Sequence, residues 1–103
     1  MATHRIASGQ TKPGSTAWQV YSPAGIMVDV NTSAGKFSTV PVYVTSIGGK
    51  SGHWATTGAT SVYLATATGF RIYVRLSNGA ALTPAIANDN GNQWHINWIG
   101  MEL

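Results

Sequence analysis

Two stretches decide the fold: Thr68–Leu76, TGFRIYVRL, and Gln93–Glu102, QWHINWIGME. Both alternate apolar and polar residues at the two-residue period of a strand that buries one face. In the first, Phe70, Ile72, Val74 and Leu76 fall on one side, and Arg71, Tyr73 and Arg75 on the other. In the second, Trp94, Ile96, Trp98 and Gly100 share a side, opposite His95, Asn97 and Ile99. The pattern predicts two central strands whose apolar sides build the core, with Phe70, Trp94 and Trp98 inside it.

Composition extends that reading to the whole chain. With 12 Thr, 8 Val and 7 Ile against 4 Leu and 1 Glu, the mixture favours strands over helices. Twelve Gly punctuate it, so the expected architecture is all-β. We expect a single domain, residues 1–103, folded as an antiparallel β-sandwich of six to seven strands with at most one short helical turn. A chain of this length buries roughly two-thirds of its unfolded surface and needs no staple. With no Cys it has no disulfide, which fits synthesis in a reducing cytosol.

Moving outward from the two stretches, short strands are expected at Arg5-Ile6-Ala7, Ala17–Tyr21, Ile26–Val30, Phe37–Ser46 and Ser61–Ala65. Pro23-Ala24-Gly25, Asn31–Gly35 and Ser77-Asn78-Gly79 separate elements as turns. Pro41 argues that its strand is an edge or carries a bulge. Thr83-Pro84 reads as a helix start, Thr as N-cap and Pro at the first helical position, and Asn88–Gly91 stops it. Ile47–Gly58 is a loop of small residues with His53 and Trp54 in its middle.

Charge is sparse. Charged residues make up 9% of the chain, and the six Lys/Arg behind its net +3 are scattered rather than clustered. That argues against a nucleic-acid partner, which selects a concentrated basic face. The surface is built of Ser, Thr, Asn, Gln and Gly, and suits a neutral hydroxyl-rich ligand or copies of itself. MATHRIASGQTKPG has no apolar signal region, and no run approaches the ~18 residues of a membrane span. The expectation is cytoplasmic synthesis with release by another route or as part of a particle, and no membrane insertion.

Catalytic patterns fail one by one. Asp29, Asp89 and Glu102 are the only carboxylates, too few and too dispersed in sequence to suggest a hydrolytic pair. Ser and His are present without a G-x-S-x-G elbow. Gly49-Lys50-Ser51 imitates the end of a P-loop, but the required earlier glycine is Val44. Asn88-Asp89-Asn90 offers oxygens with a single formal charge, more in keeping with a turn than with a Ca²⁺ site. We expect no enzyme, metal or cofactor.

Binding is the better candidate. In the 46–58 loop, Trp54 is either a flat apolar platform for a sugar ring, with His53 fixing hydroxyls, or a plug for one end of the sandwich. Asn78, Asp89, Asn90 and Asn92 supply amide and carboxylate groups in adjacent loops, suited to hydroxyl recognition or simply to turns. Arg71, Tyr73 and Arg75, with His95 and Asn97, are expected to form a polar outer face. It would serve as an interface between copies or as a secondary binding face for an acidic sugar.

The order of the early aromatic strand AWQVY, mid-chain VPVYVTSIGG, TGFRIYVR and closing WHINWIGME resembles an H-type lectin domain over residues 17–102. The resemblance implies a small antiparallel β-sandwich, a homotrimer or a hexamer of two trimers, and sugars such as N-acetylgalactosamine bound between protomers. HWATTGATSVY, TGFRIYVRLSNG, LTPA and WHINWIG are also similar to small bacterial and phage-associated domains, including tail-fibre ends. In the lectins a Trp-His pair follows the TGF strand and an Arg accompanies the preceding short strand. Here Ser77–Gln93 has no aromatic residue and Ser61–Ala65 no Arg. The resemblance therefore implies fold and trimer, and carries over no sugar-binding residue. The expected function is a non-enzymatic carbohydrate-binding protein, a lectin made multivalent by homo-oligomerisation. The alternative is a receptor-recognising or structural tip domain of a phage or phage-like tail fibre.

Overall fold

The computed structural model describes residues 4–103; the first three residues of the stretch read for an export signal lie outside it. Each of the two alternating stretches becomes the middle of its own sheet. Strand β7 (Gly69–Leu76) lies between β3 (Gly25–Asn31) and two short strands, β5 (Thr56–Thr57) and β6 (Tyr63–Thr66). β2 (Gln19–Ser22) extends that sheet beyond β3. Strand β8 (His95–Met101) lies between β1 (Ile6–Gln10) and β4 (Val42–Gly48). Every pairing is antiparallel. The protein is the all-β sandwich that its composition predicts.

Eight strands are present among the described residues where six or seven are expected. The surplus is β5, two residues long and written Thr56-Thr57, too short to alternate. β4 begins after Pro41 and runs on to Gly48, so Phe37–Pro41 stay outside it and Ile47 and Gly48 leave the predicted loop. It is an edge strand, as a proline at its start suggests.

Alternation explains the core. Ile26, Val28, Val30, Phe70, Ile72 and Val74 from one sheet meet Tyr43, Trp94, Ile96 and Trp98 from the other, all buried. Phe37, Tyr43, Phe70 and Trp98 form an edge-to-face and tilted cluster, with centroids 4.6 to 6.5 Å apart. Two hydroxyls tie the layers together. The Tyr43 hydroxyl donates to the Thr66 carbonyl at 2.7 Å and lies 2.7 Å from the Thr32 hydroxyl, while Thr45 Oγ1 donates to the Ala59 carbonyl at 2.6 Å. Buried oxygens left unpaired would oppose folding, so these bonds specify how the sheets stack.

Helix α1 (Pro84–Asn88) starts as its sequence predicts: Thr83 Oγ1 accepts the Ile86 amide at 3.2 Å and Pro84 occupies the first turn. Asn88 pins it to the chain before β2 by paired bonds with Thr16, its Nδ2 donating to the carbonyl at 2.9 Å and its Oδ1 accepting the amide at 3.1 Å. No helix among the described residues is long and apolar enough to cross a membrane.

Candidate functional site

The 46–58 loop is held, not slack. Gly52, at φ +81°, begins a 3-10 turn over His53–Ala55, and the Thr56 hydroxyl closes it by donating to the His53 carbonyl at 2.7 Å. Lys50 N–H donates to the Asn92 carbonyl (2.7 Å), Trp94 Nε1 to the Ser51 carbonyl (2.7 Å), and Ser77 N–H to the Ala55 carbonyl (2.8 Å). Gly49 is needed where the loop crosses β8: a side chain there would run into Trp94 and the Asn92 carbonyl. On this anchored turn Trp54 is 89% exposed. Of the two roles open to it, plugging the sandwich is ruled out by that exposure.

One nitrogen of His53 is closed off. Its Nδ1 is enclosed without a hydrogen-bond partner, so that atom is not directed at a ligand. The ring borders an open hollow of about 320 Å³, lined also by Ser46, Thr56 and Thr60 with Ile47 and Ala59. The hollow is thus apolar and hydroxyl-bearing, next in the chain to an exposed indole.

The amide-bearing loops come to the same end of the molecule, but each group serves its own turn. Asn78 Oδ1 accepts the Ala80 amide at 2.9 Å, and Asp89 Oδ2 the Gly91 amide at 2.9 Å. Asn92 Nδ2 donates to the Ile86 carbonyl at 2.9 Å, and Asn90 Oδ1 accepts from Gln93 Nε2 at 3.4 Å. The bonds of Asn78 and Asp89 are those of Asx turns, while those of Asn92 and Asn90 fasten the end of α1 and the chain after it. Asn92 borders the Trp54 turn, since its carbonyl holds Lys50 and its Oδ1 flanks Gly52.

The expected single polar face is two faces. Arg71, Tyr73 and Arg75 project from β7, whereas His95 and Asn97 project from β8 in the opposite sheet. Because both strands turn their apolar side inward, their polar sides point away from each other. His95 and Asn97 instead lie over Gly48, where any Cβ would meet both. Asn97 Nδ2 donates to Ser46 Oγ at 3.4 Å.

On the β7 face, Arg71 grips Asp29 of β3 with Nε to Oδ1 at 2.7 Å and Nη2 to Oδ2 at 3.0 Å. This fork holds the Asp29 carboxyl below its usual range, against the partial desolvation that raises it, and lifts the guanidinium further. Tyr73 stands between Tyr21 and Tyr63, two residues that no local pattern marks. Their convergence comes from β2 and β6 flanking the β3–β7 pair, a long-range arrangement.

The three carboxylates stand apart in separate roles: Asp29 with Arg71, Asp89 within its turn, and Glu102 accepting both the amide and hydroxyl of Ser38 at 2.9 and 3.2 Å. The described residues contain no group of three His, Cys, Asp or Glu side chains placed to hold a metal. What the surface offers chemically is stacking and hydroxyl recognition. Comparison with protein-family models, curated proteins and solved structures finds no match to this chain.

Proposed function

We propose that the protein is a carbohydrate-binding module, with Trp54 as the platform on which a sugar ring stacks. The observation that carries this reading is an indole 89% exposed on a turn fixed by Gly52 and Thr56. An exposed Trp on an ordered turn costs little entropy when a ligand lands on it, and its face suits the C–H side of a pyranose. The hollow bordered by His53, next to Trp54 in the chain, offers the Ser46, Thr56 and Thr60 hydroxyls to the sugar's own hydroxyls.

Multivalency is the second part of the proposal, with a homotrimer or a hexamer as the assembly. Its support is the outer face of the β8 sheet. Ile6 pairs with Met101, Met101 with Val42 and Ile99 with Val44, making a contiguous exposed apolar area without a charge inside it. Covering that face with copies would raise the effective concentration of weak sites on a dense glycan surface.

A glycan array with the purified protein beside Trp54→Ala tests the site. Specific binding of neutral glycans that vanishes in the variant is expected. An intact oligomer that binds no glycan would overturn the lectin reading in favour of a structural or receptor-recognising tip domain of a phage-like fibre. Sedimentation at micromolar concentration tests the assembly, and a stable monomer would contradict it.

A further inference from the structure

The outer face of the β7 sheet carries a second site, produced by a break in the sheet's edge. β5 pairs with β7 at Thr57 and Arg75, β6 resumes the pairing at Tyr63 and Arg71, and the chain between them leaves the sheet opposite Tyr73. Gly58, at φ +107°, permits the departure, because a Cβ there would collide with the Tyr73 carbonyl. Across the strand, Gly25 pairs with Arg75 and leaves its own position bare. Break and glycine together open a cleft of about 440 Å³.

Three tyrosines shape it. The rings of Tyr21 and Tyr63 meet half-buried Tyr73 at centroid distances of 4.7 and 5.0 Å and interplanar angles of 65° and 86°. Tyr21 and Tyr63 remain 62% and 50% exposed, so their outer faces are available for stacking. Ser22, Thr57 and Ser61 add hydroxyls to the lining.

The two arginines on this face differ in their partners. Arg71 is taken up by the bidentate bond to Asp29. Arg75 lines the cleft, its cross-strand neighbours are Gly25 and Thr57, and no carboxylate lies within ion-pair distance of it among the described residues. One arginine lining the cleft is thus left unneutralised.

We infer that this cleft binds an acidic sugar, a pyranose bearing a carboxylate, with its ring against the tyrosines and its carboxylate on the Arg75 fork. A guanidinium fork matches a planar carboxylate with two parallel hydrogen bonds, aromatic faces take the ring, and the hydroxyls take the remaining oxygens. A single-stranded nucleic acid fits less well, since it wants a row of free cations along its phosphates, and Arg71 is already paired. The site stands on residues separate from Trp54 and goes beyond the neutral-sugar reading. Thr57 and Gly58 line both hollows, so the two sites share a wall.

Calorimetric titration with galacturonate, mannuronate and guluronate trimers tests the inference. At least one trimer is expected to bind the native protein, to bind Arg75→Gln and Tyr63→Ala about tenfold more weakly or worse, and to bind Trp54→Ala unchanged. The methyl ester of that trimer, which keeps the ring and loses the charge, is expected to bind the native protein as weakly as the acid binds Arg75→Gln. This ester comparison keeps the result readable even if a variant folds poorly. Failure of all three trimers to bind overturns the inference. So does affinity indifferent to both Arg75→Gln and esterification, or loss in Trp54→Ala alone. Tighter binding of an oligothymidylate with the same Arg75 dependence would assign the cleft to nucleic acid instead.

Discussion

The chain carries a tryptophan beside a histidine twice, and the two pairs have opposite fates. In Trp94-His95 the indole is 3% exposed, and in His53-Trp54 it is 89% exposed. Trp94 sits at the head of a strand whose even positions face the core, so the two-residue period of β8 buries it. Its Nε1 still finds the Ser51 carbonyl at 2.7 Å, and that bond draws the 46–58 loop down onto the sheet. Trp54 lies on the same loop, but on a 3-10 turn whose direction is set by Gly52 and not by alternation. The buried indole is thus an anchor for the chain that presents the exposed one.

The largest effect should fall at Trp94. Trp94→Ala should cost about 3–5 kcal/mol in urea unfolding, as a large aromatic removed from a packed core does. Trp54→Ala should change stability by no more than about 0.5 kcal/mol while abolishing the binding of neutral glycans. Equal destabilisation by the two would mean that Trp54 is structural after all.

Gly52 sharpens the contrast, because it belongs to both tryptophans. It opens the Trp54 turn at φ +81°, and a Cβ on it would approach the Trp94 ring to 3.3 Å. Gly52→Ala should therefore cost about 1–3 kcal/mol and weaken glycan binding together, a joint effect that Trp54→Ala does not give. Thermal melts and array binding of the same preparation measure both.

The smallest expected effect lies on the β7 face, away from either indole. Asp29 is held below its ordinary value of 3.8 chiefly by the Arg71 hydrogen bond. A carboxylate whose folded value is depressed adds stability above its unfolded value, and that stability is lost as pH falls through the folded one. Denaturation at pH 7 and at pH 3 should show Asp29→Asn slightly less stable than the native chain at the higher pH, with the gap narrowing at the lower. An exposed pair contributes little, so the gap at pH 7 should be small.

How much of this is legible in the sequence follows from the range of the forces. Local alternation in TGFRIYVRL and QWHINWIGME is enough to place Phe70, Trp94 and Trp98 in the core. Thr83-Pro84 announces α1 because capping is a three-residue event. The turn roles of Asn78 and Asp89 follow from side chains that bond their own backbone two residues on. By contrast, the fate of Trp54 depends on a backbone conformation at Gly52 that periodicity does not encode. His95 and Asn97 separate from Arg71 and Arg75 because the two central strands enter different sheets, which alternation within one strand does not say. Tyr63 and Tyr73 meet through a local hairpin, but the tyrosine cleft also needs Tyr21, 42 residues before Tyr63, which the β2–β3 and β3–β7 pairings bring to them.

The most direct test of the central claim is an NMR titration that follows the indole N–H signals of the four tryptophans. Trp18 and Trp94 donate to the carbonyls of Trp94 and Ser51, and Trp54 is assigned as the signal missing from Trp54→Ala. On adding a glycan selected by the array, the Trp54 signal should move in proportion to saturation while those of Trp18 and Trp94 stay in place. Saturable binding that leaves the Trp54 signal unmoved would contradict the account.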